Sequence, residues 1–68
     1  MNKAYMKLTN SEIEYRINEY VHSKRDREIL KLKLIDGCTY EQIGYDYFNL
    51  SPRYVYTIVR KYDEIFAE

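Results

Sequence analysis

Ile13, Ile17, Tyr20 and Val21 fall at i, i+4, i+7 and i+8, the spacing that gathers side chains on one face of an α-helix. Polar residues suited to capping precede the run. Thr9 with Glu12, or Ser11 with Glu14, has capping-box spacing, in which each side chain satisfies the other residue's free backbone N–H. Together these signals predict a first helix over about 10–22. Ser23 offers the next cap, and Asp26 puts a negative charge in the first turn, where the helix dipole favours it. Ile29, Leu30, Leu34 and Ile35 supply the buried side of a second helix over about 24–36. Leu32 lies off that stripe, in position to meet the first helix or a partner. Gly37 follows Asp36 as a left-handed helix stop.

Thr39 and Gln42 repeat the capping-box spacing and open a short helix over about 40–48, with Tyr40, Ile43 and Tyr47 on its inner face. Asn49, Leu50 and Ser51 break the run. Ser51 is an N-cap and Pro52 takes the first helical position, where a missing N–H costs nothing. Val55, Ile58, Val59 and Tyr62 then recur at i, i+3, i+4 and i+7. Ile65 and Phe66 extend the stripe, which predicts a fourth helix over about 52–66. The pattern is all-α: one small four-helix domain over 1–68, with residues 1–8 a short N-terminal arm packing Tyr5, Met6 and Leu8. Helices this short depend on one another to bury their stripes.

Composition agrees with that picture. Apolar residues make up 46% and charged residues 32% of 68, which is globular rather than disordered. A domain of this size buries only about 60% of its unfolded surface, so marginal stability or help from a partner is expected. Two glycines and one proline leave little room for the tight turns of a sandwich or barrel. Cys38 is the one cysteine, so neither a disulfide framework nor a cysteine zinc site is expected. It reads as a small buried residue near a helix junction, in a reducing, cytoplasmic setting. No apolar run approaches the roughly 18 residues of a membrane span, and MNKAYMKLTNS has no apolar signal core. His22, the sole histidine, stands at the end of the predicted first helix, where a cation complements the dipole. With no Cys/His cluster, glycine-rich phosphate loop or Ser/His/Asp set, and with carboxylates scattered, we expect no cofactor, no metal and no enzymatic activity.

Two helices joined by a short turn, the second strongly capped, have the layout of a helix-turn-helix. The second helix of such a unit enters the major groove of double-stranded DNA. At about 100° per residue, Arg53, Thr57, Arg60 and Glu64 point away from Val55, Val59 and Tyr62. Tyr56 flanks them on one side, Tyr54 and Lys61 on the other. Arg suits guanine edges, Thr a base or phosphate, and Tyr hydroxyls phosphate oxygens. Arg53, Tyr54, Tyr56 and Thr57 are therefore expected at base edges and nearby phosphates. Arg60, Lys61, Lys24 and Arg25 are expected to hold the DNA backbone. Thr39 and Gln42 would add phosphate contacts through N–H groups at a helix start.

Net charge is zero, but its distribution is uneven. Residues 52–62 carry Arg53, Arg60 and Lys61 with no acid, and residues 24–38 carry five bases against three acids. The first helix sets Glu12, Glu14 and Glu19 against Arg16. A neutral chain can thus present a basic face to phosphates. Lys31 and Lys33 read as solvated surface. Of nine tyrosines, Tyr40, Tyr47 and Tyr62 read as core and Tyr45, Tyr54 and Tyr56 as exposed. Exposed tyrosine suits protein interfaces as well as phosphates.

The stretch RDREILKLKLIDGCTYEQIGYDYFNLSPRYVYTIVRKY resembles the promoter-reading C-terminal helix-turn-helix of bacterial sigma factors, and the small phage and mobile-element transcription regulators built on that unit. The resemblance rests on Arg25, Glu28, Ile29 and Leu30 in the opening helix. It continues with Gly37, Thr39, Tyr40, Ile43 and Gly44, the last in place of the usual small Ala, and with Ser51 and Val55. It covers roughly residues 25–62. The chain departs from the pattern by one extra residue near Phe48 and Asn49 and by lacking a turn glycine; Asn49 can adopt the left-handed conformation in its stead. The resemblance implies a sequence-specific DNA-binding transcription regulator of phage or mobile-element type. A homodimer is expected on a two-fold site, with the first helix, the Ile65–Phe66 end, Leu32 and Leu8 as interface candidates. The competing reading is a protein-binding module on the same fold, directed at RNA polymerase, a sigma factor or a host protein that a phage would inhibit.

Overall fold

The computed structural model describes residues 8–66; the predicted packing of Tyr5 and Met6, and residues 67–68, lie outside them. Four helices follow in order: α1 (Asn10–Tyr20), α2 (Lys24–Leu34), α3 (Gln42–Phe48) and α4 (Pro52–Lys61). A 3-10 turn, Asp63–Phe66, closes the described chain, and the described residues contain no strand. The all-α, four-helix prediction holds, with shorter elements. α1 stops before His22 and α2 before Asp36, and the predicted end of α4 tightens into the 3-10 turn.

The caps explain the boundaries. Thr9 N–H donates to Glu12 Oε1 at 2.9 Å and Glu12 N–H to Thr9 Oγ1 at 3.1 Å, so the first of the two candidate capping boxes forms. The bonds from Thr9's backbone N–H and hydroxyl hold the Glu12 carboxyl below its ordinary pKa. Glu14 of the other pair instead faces Lys31 at 3.8 Å. At the far end of α1 the cation is not His22, which lies exposed beyond the helix. Arg27 of α2 reaches back, donating through Nε to the Val21 carbonyl and through Nη2 to the Asn18 carbonyl at 3.2 Å. Carbonyls that the helix leaves without partners are thereby satisfied. α2 opens with Asp26 N–H on Ser23 Oγ and closes at Gly37, whose φ of +75° is the predicted left-handed stop. Cys38, half-buried there, donates its N–H to the Leu32 carbonyl.

Ile13, Ile17, Val21, Ile29, Leu30, Leu32, Ile43, Val55, Ile58, Val59 and Phe66 form the core. α2 runs through its centre, packing against α1, α3 and α4. A helix met from three sides buries a wider arc than a single stripe. That is why Leu32, placed off the stripe by the sequence pattern, is buried; Leu34 and Ile35, where the α-winding ends, are only partly so. With Leu32 and Phe66 consumed by the core, neither is available as the interface residue expected above. Leu8 packs on the core's edge. Tyr20, predicted in the α1 stripe, is 58% exposed: α-winding ends with it, and the core line continues through the cap residue Val21.

Asp26 is 2% exposed, a burial the sequence did not announce. Its carboxylate accepts from Tyr62 Oη at 2.5 Å and from Arg25 Nε at 3.1 Å, and pairs with Arg25 Nη2 at 3.1 Å. A buried carboxylate is tolerated only when bonded in this way. The result ties the start of α2 to the end of α4. Donation to Asp26, then burial, pushes the Tyr62 phenol up to about 12. Because the folded-state value lies above the ordinary one near about 10, the Tyr62 contribution is fully present below about pH 10 and is lost as pH rises to about 12. Tyr62→Phe should cost about 1–3 kcal/mol near neutrality by leaving Asp26 short of a donor. The gap between wild type and variant, followed by urea denaturation, should narrow between about pH 10 and 12. A gap independent of pH would show that the bond contributes nothing.

Candidate nucleic-acid interface

α3 starts as the sequence predicts. Thr39 N–H donates to Gln42 Oε1 at 2.8 Å, and Gln42 N–H to Thr39 Oγ1 at 3.0 Å. It is then wound as a π-helix, whose i→i+5 bonds place residues five apart on one side. Ile43 and Phe48 face inward, Ile43 fully and Phe48 in part. Tyr47, which α spacing would put beside Ile43, is 57% exposed. The wider winding takes up more residues per turn. Asn49 takes φ 56° and ψ 45°, the left-handed conformation expected of it. The Asn49 and Leu50 N–H groups both donate to the Gly44 carbonyl. A Cβ on Gly44 would stand 2.2 Å from the Leu50 carbonyl oxygen. Glycine at this position is therefore a demand of this turn. α4 begins with Ser51 Oγ accepting the Tyr54 N–H at 3.2 Å and Pro52 in the first turn.

α4 is two-faced: Val55, Ile58 and Val59 are buried, while Arg53, Tyr54, Tyr56, Thr57, Arg60 and Lys61 are exposed. The tyrosine rings on and beside this face are covered by cations. Arg25 stacks 5.5 Å from the Tyr54 ring on one flank. On the other, Lys33 Nζ lies 4.2 Å from the Tyr40 ring, and Tyr40 meets Tyr56 edge-on at 5.3 Å. Arg60 lies 5.7 Å from the Tyr56 ring, donates to the Tyr56 hydroxyl at 2.7 Å, and pairs with Asp63 at 3.0 Å. Burial, then the neighbouring Tyr56, raises the Tyr40 phenol. Hydrogen bonds to Tyr54 and then Asp26 raise Arg25 further, and Tyr56 does the same for Arg60, so both remain cationic. Thr57 Oγ1 donates to the Arg53 carbonyl at 3.0 Å.

Thr39, Tyr40, Glu41, Pro52, Arg53 and Tyr56 line a groove between the starts of α3 and α4. Of the predicted residues, Arg53, Tyr54, Tyr56, Thr57 and Arg60 share the α4 face, and Arg25 joins it through Tyr54. Lys24 is exposed beside Arg25, and Lys61 lies on the flank, 5.3 Å from the Tyr62 ring. Thr39 and Gln42 border the face, but their backbone N–H groups are already taken by the capping box, so the expected phosphate contact through them is closed. Glu64, predicted on the outer face of α4, lies in the 3-10 turn instead and lines a separate groove with Tyr15, Arg16, Tyr20 and Ile65. Lys33 was missed: it lies on α2, and nothing in its local sequence ties it to Tyr40.

No protein-family model, curated protein or solved structure matches this chain. Among the described residues, no helix is long and apolar enough to cross a membrane.

Proposed function

We propose that the chain is a sequence-reading double-stranded DNA-binding protein that regulates transcription, with α3 and α4 as its helix-turn-helix and α4 as the reading helix. The observation that carries the reading is the outward face of α4. Arg53, Tyr54, Tyr56, Thr57 and Arg60 are exposed on one helix, with Arg25 and Lys33 drawn in from α2 by stacking on Tyr54 and Tyr40. Two nearby acids are subdued, Asp26 buried against Arg25 and Asp63 paired with Arg60, while Glu41 stays exposed in the groove beside Arg53. Arg53, in the first turn of α4, is the residue for a base edge; the stacked cations suit phosphates.

Selection from random duplex DNA at two salt concentrations tests the proposal. An enriched motif whose binding falls with salt is expected, because phosphate contacts release counterions; a two-fold motif would add the homodimer. Absence of enrichment would sink it. Arg53→Ala should weaken binding to the selected motif by about 1–3 kcal/mol and relax preference at one position, read by titration against motif and point-variant duplexes. Uniform weakening on every duplex would demote Arg53 to a phosphate contact.

A further inference from the structure

Among the described residues four tyrosine rings are covered by a cation of the same chain: Tyr40 by Lys33, Tyr54 by Arg25, Tyr56 by Arg60 and Tyr62 by Lys61. Among the described residues the exposed rings of Tyr45, Tyr47, Tyr15 and Tyr20 have no such cover; the last two are 64% and 58% exposed. Both line a groove between α1 and the closing 3-10 turn, together with Arg16, Glu64 and Ile65. Glu12 and Glu19 flank Tyr15 at i−3 and i+4, so they stand beside it on the helix surface. Glu19 and Glu64 are exposed, and among the described residues neither makes an ion pair or side-chain hydrogen bond. Arg16, the cation lining the groove, donates through Nη1 to the Ile65 carbonyl at 3.2 Å and, after the Thr9 bonds, also helps to hold the Glu12 carboxyl down. The patch thus offers uncovered aromatic faces, unpaired carboxylates and the part-buried Ile65, which is the complement of a lysine- or arginine-bearing surface.

We infer that the α1 groove is a docking site for a basic segment of a protein partner, separate from the α4 face. The partner's Lys or Arg side chains stack on Tyr15 and Tyr20 and pair with Glu19 and Glu64. Its aliphatic stems cover Ile65. The site does not depend on the DNA-binding proposal, since the two use different residues.

The test is titration of the isotopically labelled full chain, followed by amide NMR shifts. The probe is an alanine-based helical peptide carrying arginine one turn apart; the control peptide has glutamate at those positions. Saturable shifts centred on Tyr15, Arg16, Tyr20, Glu64 and Ile65, with the arginine peptide only, are expected. Glu19→Lys with Glu64→Lys should weaken binding at least about tenfold through like-charge contact. The matched reversal Glu41→Lys with Asp46→Lys, on exposed residues at the cap and in the body of α3, should leave it in place. Tyr15→Ser, which keeps every charge, should weaken it as well. The inference is overturned by an absence of saturation, by equal response to the glutamate peptide, by equal loss in the α3 reversal, or by shifts centred on α4. Duplex DNA that moved the α1 groove rather than α4 would overturn it too, by making the groove a nucleic-acid surface.

Discussion

Gly44→Ala should destabilise the domain by about 3 kcal/mol, more than a single added methyl usually costs. The new Cβ would stand 2.2 Å from the Leu50 carbonyl oxygen and 3.2 Å from its carbon, both backbone atoms with no rotamer to change. Relief requires the Asn49–Ser51 turn to move outward. That breaks the paired donation of Asn49 and Leu50 to the Gly44 carbonyl and disturbs the Ser51 cap on α4. For a domain this small the melting temperature should fall by roughly 10–20 °C, read by circular dichroism. If the variant remains folded, α4 must have shifted, and binding to the selected duplex should fall although no residue of its outer face has changed. A melting temperature within a few degrees of wild type would show that the turn has slack and does not fix α4.

Phe66→Ala is the other large change, expected to cost about 3–5 kcal/mol. The ring is 0% exposed and belongs to the closing 3-10 turn, which packs on both α1 and α4. Truncation leaves a void in the core and releases the only element of the described chain that joins those two helices from the C-terminal side. Against the marginal stability of a domain of this length, that is enough to unfold much of the population. Urea denaturation should show the midpoint falling while the slope for the folded fraction is retained. A loss below about 1 kcal/mol would mean that the terminal turn docks without holding the core together.

Capping chemistry was the most legible layer of this sequence. Thr9 with Glu12, Thr39 with Gln42, Ser23, Ser51, Pro52, Gly37 and Asn49 all do what their identities suggest, because each acts on backbone groups within a few residues. The apolar stripes of α1, α2 and α4 were legible for the same reason, up to the last turn. What failed was whatever depended on winding or on distant neighbours. α spacing points Tyr47 inward, whereas π-winding places Phe48 there instead. Leu32 and Asp26 are buried because three helices surround α2, a fact about packing and not about local sequence. The candidate face shows the same division: Arg53, Tyr56, Thr57 and Arg60 follow from one helical wheel, whereas Lys33 enters only when Tyr40 is brought to it by the fold.

The stacking of Arg25 on Tyr54 and of Arg60 on Tyr56 also has a thermodynamic side. A long, flexible side chain ordinarily gives up about 0.5–1.5 kcal/mol of rotational freedom when a partner immobilises it. Here two guanidinium groups have already surrendered part of that freedom within the monomer. An anionic partner meeting this face finds its counter-charges ordered in advance, so association should lose less side-chain entropy than free guanidinium groups would. The ordering has been moved from the encounter into folding, and the stability of the free domain and its grip on a partner are thereby coupled through the same pairs of rings and cations.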